Sequence, residues 1–150
     1  MENKKTIEVL NDLLKITNDR IEGFLKVEDQ LWNTYSHLKP DFDRMLSASQ
    51  DIKSELIGMI RQNGGIAEDT VTTAGAIHRA WIDLKNSFTG DKEKSTLENV
   101  VFGEDAAIEA YQDALDSGDL TVEVSRKVLD QLHHLKASYK KFENLEKLNQ

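Results

Sequence analysis

Cysteine is absent from the 150 residues, which removes disulfides, thiolate nucleophiles, cysteine-zinc sites and cysteine-ligated iron–sulfur clusters from consideration. Proline occurs once, at Pro40, and glycine eight times. So few breakers leave room for long helices and little for a strand-rich fold with many turns. Basic residues are outnumbered, 19 Lys and Arg against 27 Asp and Glu, for a net charge of −8. Nucleic-acid binding needs clustered cations to neutralise phosphate, so that class of partner is disfavoured. No apolar run approaches the roughly 20 residues of a membrane span. The opening Met1-Glu-Asn-Lys-Lys is followed by no hydrophobic signal core, and a cytoplasmic protein is the expectation. With 39% hydrophobic and 31% charged residues, the chain has the composition of one folded domain over 1–150 rather than of a disordered tail.

What is present is helical periodicity. From Lys4 to Glu28, Ile7, Leu10, Leu14, Ile21 and Phe24 recur at spacings of three and four, one face of an α-helix widened by Leu13, Ile16 and Leu25. The stretch after it, up to Pro40, is a connection into which this helix can continue. Residues before a proline avoid the helical region, so the break is expected at Leu38-Lys39, with Pro40 in the first turn of the next helix. Phe42, Met45, Ile52, Leu56 and Met59 carry that helix to Asn63. Asn63-Gly64-Gly65 is a stop signal of the left-handed kind. A shorter amphipathic piece spans Thr72 to Phe88, with Ile77, Trp81, Leu84 and Phe88 on one stripe. Glu93 to Asp116 follows, with Leu97, Val101, Ile108, Tyr111 and Leu115 inward. Ser117-Gly118-Asp119 makes a tight turn, Thr121 caps a last helix, and Val124, Val128, Leu135, Phe142 and Leu145 line it to Leu148.

Four long helices, each about 35 Å at 1.5 Å per residue, are thus joined by two short connections and one long link holding the short helix. A link of that length allows the third long helix to run parallel to the second, which is the ferritin-like variant of the bundle. The expected class is therefore all-α, a ferritin-like four-helix bundle with a long crossover containing an extra helix.

Each long helix carries a polar residue where its stripe calls for an apolar one: Thr17, Ser49, Glu104 and Gln131. A buried carboxylate is costly unless paired, so Glu104 needs a partner, and Gln131, Thr17, Arg20 and Arg44 are the candidates. One reading is a satisfied polar layer that fixes helix register; the other is a site for a metal or small ligand. The first is favoured. Di-iron bundles need a Glu from each of two helices and a Glu-x-x-His from each of the others, because that spacing aims carboxylate and imidazole at one metal. The second long helix has no histidine, and the last offers only Gln131-x-x-His134, whose amide cannot balance a cation's charge. No metal is expected; the alternative is iron or manganese on Glu22, Glu55, Glu104 and His134. Binding of a small ligand or lipid between the helices is a third class, which a pocket at the Glu104 layer favours. No catalytic residue is assigned, since no nucleophile elbow, Ser-His-Asp order or phosphate-binding glycine loop occurs.

Several motifs together resemble a known family. Leu10-Asn-Asp-Leu-Leu14, Asp19-x-x-x-Gly23-Phe24, Glu55-Leu56, Gly64-Gly65, His78-Arg79-x-Trp81, Gly103-Glu104-Asp105 and Tyr111 look like a bacterial four-helix-bundle domain of unknown function in the ferritin-like group. The resemblance implies a ferritin-like fold and a small cytoplasmic protein associated with stress, with no established activity. It singles out Asp19, Glu22, Glu55, His78, Arg79, Trp81, Glu104, Asp105 and Tyr111 without assigning them roles. Where this family tends to have a Gly-Ser or Gly-Thr pair the chain has Val71-Thr72, and Tyr139 stands where a late histidine is usual. Taken together, these readings give a non-enzymatic, homo-oligomeric bundle acting through protein contact, with a metal-dependent oxidase or iron-storage protein as the alternative.

Overall fold

In the computed structural model, residues 2–34, 39–73, 78–79 and 92–148 are described. Among them are four long helices and no strand: α1 (Glu2–Thr34), α2 (Lys39–Gln62), α3 (Lys92–Asp116) and α4 (Val122–Leu148). Helix α1 runs on past Glu28 to Thr34, and Pro40 sits in the first turn of α2, where its missing N–H costs nothing. The short helix expected over Thr72–Phe88 falls outside the described residues apart from Thr72, Thr73, His78 and Arg79, and the first two of these are not helical. Trp81 lies outside as well.

Both glycine punctuations work as local physics requires. Gly64 has φ of +84°. The Gly65 N–H reaches the Ile60 carbonyl at 2.9 Å and the Gly64 N–H reaches Arg61 at 3.0 Å, a Schellman closure of α2. Gly118, at φ +77°, turns the chain between α3 and α4. The hydroxyl of Thr121 accepts the Val124 N–H at 3.2 Å and caps α4.

Contacts between the helices fix their directions. Ile7 packs against Gly65, so α1 and α2 are antiparallel. Thr6 donates to the Asp119 carbonyl at 2.6 Å while Arg20 meets Glu104, so α1 and α3 are antiparallel too. Hence α2 and α3 run parallel, on one diagonal of the bundle, and the long connection between them is a crossover. Helix α4 returns antiparallel to α3 and α2, and it packs far more sparsely on α2 than on α3.

The core divides into two clusters. The larger is aliphatic, built on Leu10, Leu14, Leu56, Ile60, Val128 and Leu132. The smaller holds Phe24, Phe42, Val100 and Phe142, with Phe24 stacked on Phe142 and edge-on to Phe42 at 5.7 Å in both cases. The buried face of α3 is rotated by about a residue from the expected stripe. Val100, Ala107 and Ala114 are buried, while Val101, Ile108 and Leu115 lie at its margin. Small alanines admit a neighbouring helix closely, so the flanking large residues cover the seam rather than fill it. Leu25, expected to widen the α1 stripe, is 49% exposed.

Candidate functional site in the middle of the bundle

Thr17, Ser49, Glu104 and Gln131 are all buried, and Glu104 has no exposed surface. Its partner is Arg20, itself only 2% exposed. Arg20 Nε donates to Oε1 at 2.7 Å and Nη2 donates to Oε2 at 3.0 Å, the side-on bidentate geometry that matches a guanidinium to a carboxylate. The guanidinium carbon also stands 5.3 Å from the centroid of the Phe24 ring, a cation–π contact at the border with the aromatic cluster. Nη1 is the buried side-chain nitrogen without a hydrogen-bond partner among the described residues.

A second polar chain, which includes Gln131, links α3, α4 and α2. The Tyr111 hydroxyl donates to Gln131 Oε1 at 2.8 Å, and Gln131 Nε2 donates to Glu55 Oε1 at 2.8 Å. Burial pushes the Tyr111 hydroxyl up to about 12, against the smaller opposing effects of the Thr17 hydroxyl and the Arg20 charge. Thr17 donates to the Leu13 carbonyl at 2.8 Å, and Ser49 likewise bonds its own helix, at Met45 O, 2.9 Å away. The four layer residues are thus satisfied by different partners rather than by one another. Arg20 was foreseeable as the partner of Glu104. The Glu55–Gln131 link was not foreseen: the sequence offered Glu55 as an alternative metal ligand and as part of a family motif, not as an acceptor for Gln131.

The metal alternative fares differently. Glu22, Glu55 and His134 are exposed, Glu104 is buried under Arg20, and the four side chains share no cluster. No group of three or more His, Asp or Glu side chains converges as a cation would need among the described residues. The residues described do not fit a carboxylate-bridged metal pair: of the two buried carboxylates among them, Glu104 has both oxygens on a guanidinium and Asp19 is bonded to Thr72.

Of the motif residues, Asp19 and His78 meet at the crossover. The buried Asp19 carboxylate accepts hydrogen bonds from the Thr72 N–H, at 3.4 Å, and from the Thr72 hydroxyl. His78 Nδ1–H donates to the Thr72 carbonyl at 2.8 Å. The segment before Thr72 is strapped to α1 by Asn11, which donates to Ile66 O at 3.2 Å and accepts from Glu68 N at 2.8 Å, and by Asn18, which donates to Asp69 and to Thr70 O. Lys15–Glu68 at 3.2 Å and Lys53–Asp69 at 3.1 Å add exposed ion pairs. Three polar residues on the face of α1, Asn11, Asn18 and Asp19, therefore hold the crossover rather than a ligand. Arg79 and Asp105 are exposed.

At the seam between α2 and α4, Asp41 pairs with Arg44 and, at 3.1 Å, with Lys141. Those two cations hold its carboxyl below the usual carboxylate range. No helix among the described residues is long and apolar enough to cross a membrane.

No curated protein and no solved structure matches the chain. Residues 5–117, which run from α1 through the crossover to the end of α3, match the family described as a domain of unknown function, DUF2383, and the chain belongs to that family.

Proposed function

We propose that this is a ferritin-like bundle whose centre is closed by an internal ion pair, serving as a non-enzymatic interaction module rather than as a metal oxidase. The observation that carries the reading is the side-on grip of Arg20 on Glu104. Both carboxylate oxygens at the middle of α3 are engaged by a buried guanidinium, where an iron-oxidising bundle needs them free for metal. A buried pair of this geometry is expensive to break by removing one member, so it fixes the registers of α1 and α3. The parallel run of α2 and α3, with one crossover, supports the ferritin-like assignment. The net charge of −8 disfavours nucleic acid as the partner. Action through protein contact, including a second copy of the chain, fits exposed apolar side chains such as Phe102 on α3 and Leu129 on α4. Cytoplasmic residence and a role under stress belong to the same reading through the resemblance of its motifs.

The test is elemental analysis of protein purified from cells grown with added iron and manganese. Less than one-tenth equivalent of either metal is the expected outcome. Stoichiometric metal, lost in Glu104→Ala, would overturn the reading. Light scattering of the same sample tests the oligomer: a mass above that of one chain is expected, and a strict monomer removes the homo-oligomeric part.

A further inference from the structure

The sparse seam between α2 and α4 is a furrow open along much of its length. Cavities of about 260, 270 and 180 Å³ succeed one another down it. They run from Met59 and Val124, near the end of α2, past Ala48 and Ala137 to Phe42 and Phe142 near its start. Apart from Arg20, their walls come from α2, α4 and the residues bordering those helices. The described part of the crossover lies on the other side of the bundle, where Thr72 and Thr73 line the groove between α1 and α3.

Charge changes sign along this furrow. Toward the start of α2, Arg44 and Lys141 line it with Asp41 between them. Toward the other end Glu123 and Lys127 line it, and Glu55 accepts from Gln131 across it. Asp51 and Asp130, both exposed, share these faces by helical spacing: Asp51 falls between Ala48 and Glu55, and Asp130 between Lys127 and His134. One half of the furrow therefore has an excess of cations and the other an excess of acids. Between the halves stand Ala48 and Ala137, whose small side chains let another pair of helices approach.

Such a face discriminates between two ways of meeting a copy of itself. With a two-fold axis along the furrow, like ends meet, and Arg44 faces Lys141 of the second copy while Glu55 faces Asp130. With the axis across the furrow at the level of Ala48 and Ala137, the unlike ends meet. Arg44 then lies about 6 Å to one side of the axis and Asp51 about 4.5 Å to the other, at 1.5 Å per residue. Each Arg44 thus comes opposite Asp51 of the second copy, and each Lys141 comes within reach of Asp130. Leu148, 82% exposed, lies as many residues from Ala137 on one side of the axis as Met59 lies from Ala48 on the other, so the far end of the second copy covers it. A face about 36 Å long and about 20 Å across two helices offers roughly 700 Å² per copy, near the roughly 800 Å² per partner of a standard interface.

We propose that the α2–α4 furrow is a homodimer interface in which a second copy packs antiparallel, α2 on α2 and α4 on α4, about an axis at Ala48 and Ala137. This rests on the interaction module proposed above and names the surface and the partner. Phe102, on α3, stays outside it.

The chain has no cysteine, so single-cysteine variants of the whole protein report the arrangement. On mild oxidation, Ala48→Cys and Ala137→Cys should each form a disulfide with a second copy of itself. Both should do so at least about tenfold faster than Phe102→Cys or Asp105→Cys, because proximity raises effective concentration. Mixing the two alanine variants should give no faster disulfide between positions 48 and 137. At the exposed charges, Arg44→Glu and Asp51→Lys should each weaken the dimer at least about tenfold in sedimentation, and the two together should restore it to within about threefold. Each variant is first shown to keep the parent's thermal midpoint. A dimer that oxidises through Phe102→Cys and through neither alanine variant would keep the interaction module and overturn this interface. A faster disulfide between positions 48 and 137, or a double charge variant as weak as the singles, would overturn the antiparallel arrangement. A strict monomer would remove the interface outright, whereas stoichiometric metal is what would remove the module.

Discussion

Asp19 and Thr72 are 53 positions apart in sequence, and the carboxylate of the first accepts from both the backbone N–H and the hydroxyl of the second. That contact converts an aspartate inside the packed length of α1 into an anchor for the crossover. Since Thr72 also offers its carbonyl to His78, a single residue ties α1 to the segment that follows.

Thr72→Val keeps the shape and removes the hydroxyl, leaving the buried carboxylate with one donor fewer. The expected cost is about 1 to 2 kcal/mol in urea unfolding. Cleavage by a nonspecific protease should rise within residues 66–73, because the strap opens before the helices do. Unchanged stability and cleavage would mean that Asp19 is held by its other contacts alone.

Gly65 offers a separate check on the junction of α1 and α2. A Cβ added there would come within 2.7 Å of Ile7, with three Ile7 side-chain atoms inside 3.0 Å. Gly65→Ala should therefore cost about 1 to 3 kcal/mol, as overpacking does. In an Ile7→Ala background the same substitution should cost less than half as much. Equal costs in the two backgrounds would place the strain elsewhere.

The long helices, the glycine stops and the Thr121 cap were legible because they depend on short-range rules: spacing, left-handed turns and one hydroxyl. The rotated face of α3 was not. A stripe drawn through Val101, Ile108 and Leu115 takes the largest side chains as the centre, whereas close approach of helices puts Ala107 and Ala114 there. Glu104 could be read as needing a counter-charge because an unpaired buried carboxylate is too costly. Which cation answers it depends on the relative register of α1 and α3, which no periodicity within one helix encodes. The run Asn18-Asp19-Arg20 shows the same limit. Periodicity gives none of the three a place on the apolar stripe, yet all are buried, since the crossover covers the first two and α3 receives the third.

Tyr111 makes a prediction in pH. Its folded-state value is pushed up to about 12 from an ordinary value of 10.0, chiefly by burial. An unfolded chain loses that proton first, so the folded state holds one more proton between the two values. The contribution to stability is complete below about pH 10 and is lost as pH rises from there toward 12, with a slope approaching roughly 1.4 kcal/mol per pH unit. Tyrosinate absorbance should show one of the three tyrosines ionising only near pH 12 or on unfolding. That component should vanish in Tyr111→Phe, which should also lose about 1 to 2 kcal/mol at neutral pH by orphaning the Gln131 carbonyl.

The pair at the centre separates a register device from a source of net stability. Removing one member strands the other: Glu104→Gln or Arg20→Met should cost about 3 to 5 kcal/mol each in urea unfolding. Replacing both, as Arg20→Met with Glu104→Leu, exchanges an ion pair for apolar packing beside Phe24 and Val100, and should recover most of that loss. A double variant that stays as unstable as either single would show that the pair's attraction exceeds its desolvation. If the double variant instead recovers stability but loses the sharp amide dispersion of the parent in NMR, the ion pair serves uniqueness of packing. Between these outcomes lies the physical reason for keeping charge in the middle of a bundle: helices with aliphatic stripes alone can slide by a turn, whereas α1 and α3 can bring Arg20 and Glu104 together in only one register.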